Sequence, residues 1–108
     1  MRIYKVLPRA EWEAARVAGV FTGSAVDVAD GFIHFSTAGQ LDETLRRHFA
    51  GQADLLLVGV ESSDLGGDLK WEPSRGGALF PHLYGPMPVA AAVSIEPVAG
   101  PGPAGDAA

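Results

Sequence analysis

Residues 68–88 hold the densest supply of side chains that could do chemistry. Glu72, Arg75, His82 and Tyr84 provide a carboxylate, a guanidinium, an imidazole and a phenol within thirteen positions. Glycines and prolines interrupt the stretch, so much of it is expected in turns, and polar side chains on rigid loops often build sites. The stretch therefore predicts a functional site without indicating its reaction.

An anion-binding turn is one candidate feature inside this stretch. Arg75 is followed by Gly76 and Gly77, and such a turn offers an anion a two-pronged guanidinium and close approach to the backbone. His82 and Tyr84 lie on one face if the segment is extended. Side by side they could bind a ribose or a phosphate, and they could equally brace the loop.

Glu72 has two interpretations at this stage. It could be a catalytic carboxylate that stabilises developing positive charge or acts as a general base. Alternatively, it is an exposed carboxylate at a strand end that pairs with Arg75.

A second group of polar residues lies in FIHFS, residues 32–36. The alternation predicts a strand with His34 and Ser36 on one face. A helix with a capping box of Thr37 and Gln40 follows, and helix N-termini favour anionic or hydroxyl-rich ligands. His34 is therefore a candidate for ligand binding. The alternative is a half-buried histidine bonded to a neighbouring backbone group.

Strands and helices alternate along the chain to position these residues. Apolar alternation and apolar runs predict strands, whereas amphipathic stretches with capping signals predict helices. The expected strands are 3–7, 32–36, 54–61, 69–73, 79–84 and 89–96, and the expected helices are 9–18 and 38–49. Residues 21–30 are expected to form a loop. Pro81 places the 79–84 segment at a sheet edge or in irregular structure.

Helical spacing also predicts which residues face the core. Trp12 and Ala15 lie on the inner face of the first helix. The second helix has an apolar stripe of Leu41, Leu45 and Phe49. Its i,i+4 charge pairs Asp42–Arg46 and Glu43–Arg47 are expected on the solvated face, and His48 is interpreted as a partner of the helix dipole rather than as a catalyst.

Composition limits the class of protein. The 108 residues predict one α+β domain over 1–97, of about six strands and two main helices, and a disordered Gly/Pro/Ala tail over 98–108. The net charge of −5 argues against a DNA-binding role. No metal site is expected without Cys or closely spaced His. No signal sequence or membrane span is recognisable, so a cytoplasmic location is expected.

Three motifs together resemble the bacterial domain of unknown function 952 family. They are IYKVLP at the start, GFIHFST near the middle and LKWEPSRGGALFPHLYG after it. The resemblance covers Ile3 to Pro97. It implies a fold grouped with the ADP-ribosyltransferase-like folds, small split α+β structures that cradle NAD in enzymes.

The resemblance also implies roles for individual residues. His34 looks like the strand histidine that orients a ribose hydroxyl in the His–Tyr–Glu transferases, Tyr84 like the stacking tyrosine and Glu72 like the catalytic carboxylate. In those enzymes the glutamate comes last, whereas Glu72 precedes Tyr84. Glu96, next to Pro97, is the later alternative.

Taken together, we expect an enzyme-like domain that binds a small molecule, a nucleotide or an NAD-like ligand, in one cleft. His34 is then expected to lie close to the 72–84 segment in space. The cleft residues are His34, Ser36, Glu72, Arg75, Gly76, Gly77, His82 and Tyr84. NAD is then a candidate substrate for glycosyl or ADP-ribosyl transfer. The alternatives are a non-catalytic module that binds a metabolite or partner, an RNA 2′-phosphotransferase-like activity, and a polar cluster that only braces the loop.

Overall fold

The computed structural model describes residues 1–98, which form three antiparallel sheets of four, three and two strands. The four-stranded sheet, called the larger sheet, and the three-stranded sheet, called the smaller sheet, meet at residues 33–37. The strands are β1 (Arg2–Pro8), β2 (Val20–Phe21), β3 (Ile33–His34), β4 (Ser36–Thr37), β5 (Leu55–Glu61), β6 (Leu69–Pro73), β7 (Leu79–Leu83), β8 (Met87–Pro88) and β9 (Ala92–Pro97). The α-helices are α1 (Arg9–Ala18), α2 (Ala25–Asp30) and α3 (Leu41–His48). The predicted α+β class is confirmed, although the described part has nine strands and three α-helices rather than about six and two.

The larger sheet has the strand order β4-β1-β5-β9. Strands β1 and β5 pair along their whole length, from Arg2 opposite Glu61 to Pro8 opposite Leu55. The apolar run of β5 lies in the interior of this sheet and is mostly buried, as a strand covered on both faces should be. The predictions for β1 and β5 are therefore confirmed.

The smaller sheet has the order β3-β7-β6, with β7 in the middle. The prediction of an edge position for this segment is therefore wrong. The Pro81 carbonyl accepts a hydrogen bond from the Phe35 N–H at 3.0 Å. The nitrogen and the carbonyl of one residue in an antiparallel strand face the same neighbour, so the Pro81 ring nitrogen also faces Phe35. Because β3 ends at His34, no ladder bond is lost where Pro81 lacks an N–H.

The predicted continuous strand over 32–36 is interrupted at Phe35. Strand β3 pairs with β7 in the smaller sheet, whereas β4 pairs with β1 in the larger one. The residue between them, Phe35, is only 2 % exposed. The chain thus changes sheets at one buried aromatic residue, and alternation alone cannot reveal such a change because the period on both sides is the same.

Helix α1 follows the sequence signals closely. Pro8 precedes its first turn, and Gly19 ends it in the left-handed conformation with φ 86°, where glycine is favoured. Trp12 and Ala15 are buried as predicted. The core cluster comprises Ile3, Leu7, Trp12, Ala15, Phe21, Ile33, Phe35, Leu56, Val58, Val60, Leu83 and Met87.

The predicted loop over 21–30 contains β2 and α2 instead. Ser24 and Asp27 form a capping box at the start of α2, and Gly31 ends the helix with φ 89°. Asp27 is the buried residue of α2, whereas its valines, Val26 and Val28, are 58 % and 67 % exposed. The apolar period therefore gives no helical signal here.

Helix α3 begins later than predicted, because Ala38–Gln40 forms a 3-10 turn. The capping box is confirmed, since the Thr37 N–H donates to the Gln40 side chain at 3.0 Å. The Arg47–Glu43 ion pair of 2.7 Å is also confirmed. The stripe of Leu41, Leu45 and Phe49 is half-buried.

The C-terminal strand is shorter than predicted. Val89–Ala91 is a 3-10 turn, and β9 starts at Ala92. The predicted tail lies outside the described residues from position 99 onward. Within residues 1–98, no helix is long and apolar enough to span a membrane.

Candidate functional site

A row of polar residues crosses the smaller sheet. His82 on β7 is opposite His34 on β3 and opposite Lys70 on β6, so the three side chains share one face. The ring centroids of His34 and His82 are 5.5 Å apart. The prediction that His34 meets the 72–84 segment is confirmed.

Phe32 lies among the polar rings of this face. Its ring stacks on His82 with centroids 4.1 Å apart, and it is tilted against His34 at 4.6 Å and Tyr84 at 5.1 Å. Contacts of this kind restrict the orientation of each ring. Phe32 was not among the predicted site residues.

Glu72 connects His82 and Tyr84. One of its oxygens lies 2.7 Å from His82 Nδ1 and accepts the Tyr84 hydroxyl at 2.8 Å. The hydrogen bond from His82, followed by that from Tyr84, lowers the pKa of Glu72. The same carboxylate raises the pKa of Tyr84, because it stabilises the neutral phenol and repels the phenolate.

Asp27 forms the second polar network and is 1 % exposed. Its carboxylate pairs with Lys5 Nζ at 2.8 Å and with His34 Nδ1 at 2.6 Å. The backbone N–H groups of Ser24 and His34 donate to it at 2.8 Å and 3.1 Å. Burial alone would raise the pKa of Asp27, but the hydrogen bond from His34 and the charge of Lys5 lower it to about 2.

Lys5 is 5 % exposed on strand β1. Burial lowers the pKa of Lys5, an effect that the charge and hydrogen bond of Asp27 oppose. Lys5 Nζ is within hydrogen-bonding distance of both Asp27 oxygens, at 3.0 Å and 2.8 Å. Such a pairing compensates the charge of a buried ammonium.

His34 has a carboxylate at each ring nitrogen. Nδ1 contacts Asp27, and Nε2 lies 2.9 Å from Asp30. A neutral ring can donate to only one of the two carboxylates, whereas the imidazolium donates to both. His34 is thus fixed in position by Asp27 and Asp30.

A cavity of about 570 Å³ opens beside these networks. Its size falls within the usual range for small-molecule sites. Among the predicted site residues, His34, Ser36 and His82 line it. Ser36 contributes a hydroxyl that lies 2.9 Å from the Thr44 hydroxyl.

The remaining predicted site residues are not brought to the cavity wall. Glu72 and Tyr84 do not contribute to the lining that the structure describes, and they are linked to it through His82. Gly76 and Gly77 lie in the 3-10 turn Arg75–Gly77 with φ 65° and 86°. The turn follows Ser74, which does line the cavity. The Arg75 side chain lies outside the described part.

The described residues offer no group of three or more His, Cys, Asp or Glu side chains placed to hold a metal ion. The arrangement therefore offers acid–base groups, hydrogen-bonding groups and aromatic surface to a ligand.

The family described as "Protein of unknown function (DUF952)" matches residues 6–95. The chain belongs to the DUF952 family. No curated protein matches it.

Three solved structures of CC0527 from Caulobacter crescentus are similar to this DUF952 chain. The crystal structure of CC0527 from Caulobacter crescentus is 56 % identical, with a TM-score of 0.88, over 90 % of this chain and 85 % of that chain. A double mutant of CC0527 is 54 % identical with the same TM-score of 0.88 over 90 % and 85 %. The solution NMR structure of CC0527 gives 56 % identity and a TM-score of 0.81 over 90 % and 84 %.

Sequence reasoning missed Lys5, Asp27 and Asp30 in this DUF952 domain. Two signals could have revealed the first two. In the predicted strand, Lys5 lies two positions from both Ile3 and Leu7. It is therefore predicted to share their inward face although it is charged. Ser24 and Asp27 have the spacing of a capping box, which indicates a helix start rather than a loop.

Proposed function

We propose that this domain binds a nucleotide or NAD-like ligand in the cavity and that His82 acts there as the acid–base group. The observation that carries the proposal is the hydrogen bonding of the two ring nitrogens of His82. Its Nδ1 contacts Glu72 at 2.7 Å, and its Nε2 has no hydrogen-bond partner among the described residues, although the side chain lines the cavity.

The Glu72–His82 pair supports acid–base chemistry. A carboxylate at Nδ1 favours the tautomer that carries its proton there, which leaves the Nε2 lone pair to accept a proton from a ligand. Phe32 stacks on the ring and limits its rotation. In this proposal Glu72 is a positioning residue and His82 is the catalytic residue.

The aromatic residues of the cavity lining and the Arg75–Gly77 turn support a nucleotide-like ligand. Phe35, Phe49 and Phe80 line the cavity, and flat heterocycles pack well on aromatic rings. Ser74 lies at the wall and leads into the Arg75–Gly77 turn. Phosphates that leave the cavity near Ser74 would meet this turn.

ADP-ribosyl transfer on an ADP-ribosyltransferase-like fold is the finer form of the proposal. The bond between the ribose carbon and the nicotinamide nitrogen would break, with its electron pair leaving on nicotinamide. An acceptor hydroxyl would form the new bond and lose its proton to His82. Hydrogen bonds from His82 and Tyr84 lower the pKa of Glu72, and its negative charge would stabilise the imidazolium that His82 becomes when it takes up this proton.

The experiment measures binding and turnover separately. Calorimetry with NAD, ADP-ribose and AMP measures affinity, and release of nicotinamide from NAD measures transfer or hydrolysis. We expect His82→Gln to abolish nicotinamide release and Glu72→Gln to reduce it by roughly 100-fold or more, the usual contribution of positioned acid–base groups. Glu61→Gln is the matched control, because Glu61 also has a lowered pKa and lies away from the cavity.

Two results would separate the alternatives. Binding without nicotinamide release would favour a non-catalytic module that uses the same cavity. Absence of binding by all three ligands, or unchanged affinity and turnover in His82→Gln, would contradict the proposed function.

A further inference from the structure

Building on the proposed function, we infer that the group entering the cavity is a flat organic cation with a hydrogen-bond donor, such as a pyridinium carboxamide, and that phosphates remain outside. The inference rests on the charges and rings of the lining. Among the described residues, the ionisable ones on the lining are Tyr4, Lys5, Glu11, Asp30, His34, His48 and His82.

Lys5 does not supply an uncompensated positive charge to this cavity. Of the Lys and Arg side chains that the structure describes, it is the one on the lining. Its Nζ lies 3.0 Å and 2.8 Å from the two oxygens of Asp27. An incoming phosphate would therefore have to compete with a buried carboxylate for the same ammonium group.

Two further carboxylates remain on the lining. Glu11 accepts the Ser24 hydroxyl at 2.6 Å, and Asp30 contacts His34 Nε2 at 2.9 Å. These contacts hold each carboxylate in place beside the cavity. A phosphate placed next to them would be repelled, whereas a cation would be attracted.

Aromatic rings add to the attraction for a cation. Tyr4, Phe35, Phe49 and Phe80 line the cavity. The face of an aromatic ring attracts an organic cation within about 6 Å, and the attraction increases when the site is shielded from water. Carboxylates and aromatic rings on one lining favour a cationic ring over a neutral one.

His82 provides an independent indication of a ligand. The residue is only 5 % exposed, and its Nε2 has no hydrogen-bond partner among the described residues. When Nδ1 donates its proton in a hydrogen bond to Glu72, the ring presents Nε2 to the cavity as a hydrogen-bond acceptor. A ligand N–H or O–H would pair with this acceptor, which adds a donor to the required ligand.

The test compares each cationic ligand with a partner that lacks the cationic ring. Calorimetry on the full chain measures the Kd of 1-methylnicotinamide, a cation, and of nicotinamide, its neutral counterpart. NAD and ADP-ribose form the second pair, because ADP-ribose lacks the pyridinium. We expect each cationic member to bind about tenfold more tightly than its partner.

Variants of α1 and α2 test the source of that preference. Glu11→Gln and Asp30→Asn keep the size of each side chain and remove its charge, so each should reduce the preference for the cation about threefold or more. Glu13→Gln is the control, because Glu13 is exposed on α1 and does not line the cavity. It should leave the preference unchanged.

The outcomes separate this inference from the proposed function. Equal binding of NAD and ADP-ribose, or of the two nicotinamides, would overturn the cation inference and leave nucleotide binding intact. Binding of 1-methylnicotinamide without either nucleotide would overturn the nucleotide proposal and support the cation site. Failure of all four ligands to bind would overturn both.

Discussion

Lys5 and Asp27 form a buried ion pair, with 2.8 Å between Nζ and Oδ2 and side chains that are 6 % and 1 % exposed. The pair joins β1 to α2 across 22 positions of sequence. It also fixes His34, because the same carboxylate contacts the His34 ring at 2.6 Å. Stability and site geometry therefore depend on one side chain.

Asp27→Asn should strongly destabilise the protein. The substitution keeps the shape of the side chain but leaves the buried Lys5 charge uncompensated, so we expect a loss of about 3 kcal/mol in the free energy of unfolding. Urea denaturation measures the loss. Glu13→Gln, which breaks the exposed pair with Arg16, should cost less than about 1 kcal/mol. A loss for Asp27→Asn as small as that of the control would show that the pair is not stabilising.

The free energy of unfolding should depend on pH in the acid range through the protonation of Asp27. Its pKa is about 2 in the folded protein, below its ordinary value of 3.8. The resulting stabilisation is fully present above the ordinary pKa and is lost as pH falls through about 2. Its size is about 2 kcal/mol. Urea midpoints measured from pH 5 downward should therefore fall more steeply for wild type than for Asp27→Asn, and parallel curves would contradict the prediction.

Glu72→Gln should make Tyr84 easier to ionise. The Glu72 carboxylate raises the pKa of Tyr84 above its ordinary value of 10.0, and a neutral amide no longer repels the phenolate. Ultraviolet titration of tyrosinate in a Tyr4→Phe background isolates Tyr84, because the chain has two tyrosines. An unchanged titration would mean that Glu72 does not contact Tyr84 in solution. Glu61→Gln serves as the control.

Gly59→Ala should destabilise the larger sheet. An added Cβ would overlap the Ser94 hydroxyl on β9 and lie 3.2 Å from a ring atom of Tyr4. We expect a loss of about 1–3 kcal/mol from this overpacking, measured by denaturation. Adding Ser94→Ala removes the hydroxyl and should recover part of the loss.

Gly67→Ala is the control for this substitution, because a Cβ at Gly67 meets nothing within 4 Å. A double variant no more stable than Gly59→Ala alone would show that Ser94 is not the obstacle.

Removal of residues 100–108 should leave the melting temperature almost unchanged. The segment consists of Gly, Pro and Ala with one Asp, a composition that offers no apolar face to bury. Differential scanning calorimetry of the full and shortened chains compares them directly. A decrease of several degrees would indicate that the segment docks on the domain.

Local signals were sufficient for parts of the fold. Strand β6 has the predicted bounds, Leu69–Pro73, and α1 ends at Gly19 as its sequence indicates. Local sequence signals failed where the position of a segment depends on the strand that pairs with it. Whether the segment around Pro81 lies at an edge or in the middle of a sheet depends on whether β3 pairs with it, and no residue near Pro81 encodes that pairing.

The candidate site likewise has one part that local sequence signals could predict and one part that they could not. His34 and His82 could be brought together from alternation, because each strand places its histidine on one face. The capping-box spacing could have marked Asp27 as a helix-start residue, but its contact with Lys5 could not be predicted, because Lys5 lies on a distant strand. Polar residues that interact across the core leave little local trace in a sequence.

Helix α2 is a wall of the cavity that lacks an apolar anchor. Asp27 is its buried residue, while Val26 and Val28 are mostly exposed, and Ala25, Val26 and Asp30 line the cavity. The free energy of detaching this helix from the domain is therefore set mainly by polar contacts. Elements with few buried apolar groups undergo local unfolding more readily than the core. It follows that α2 should unfold locally more often than the core strands do, and that loss of the Asp27 charge should make this local unfolding more frequent.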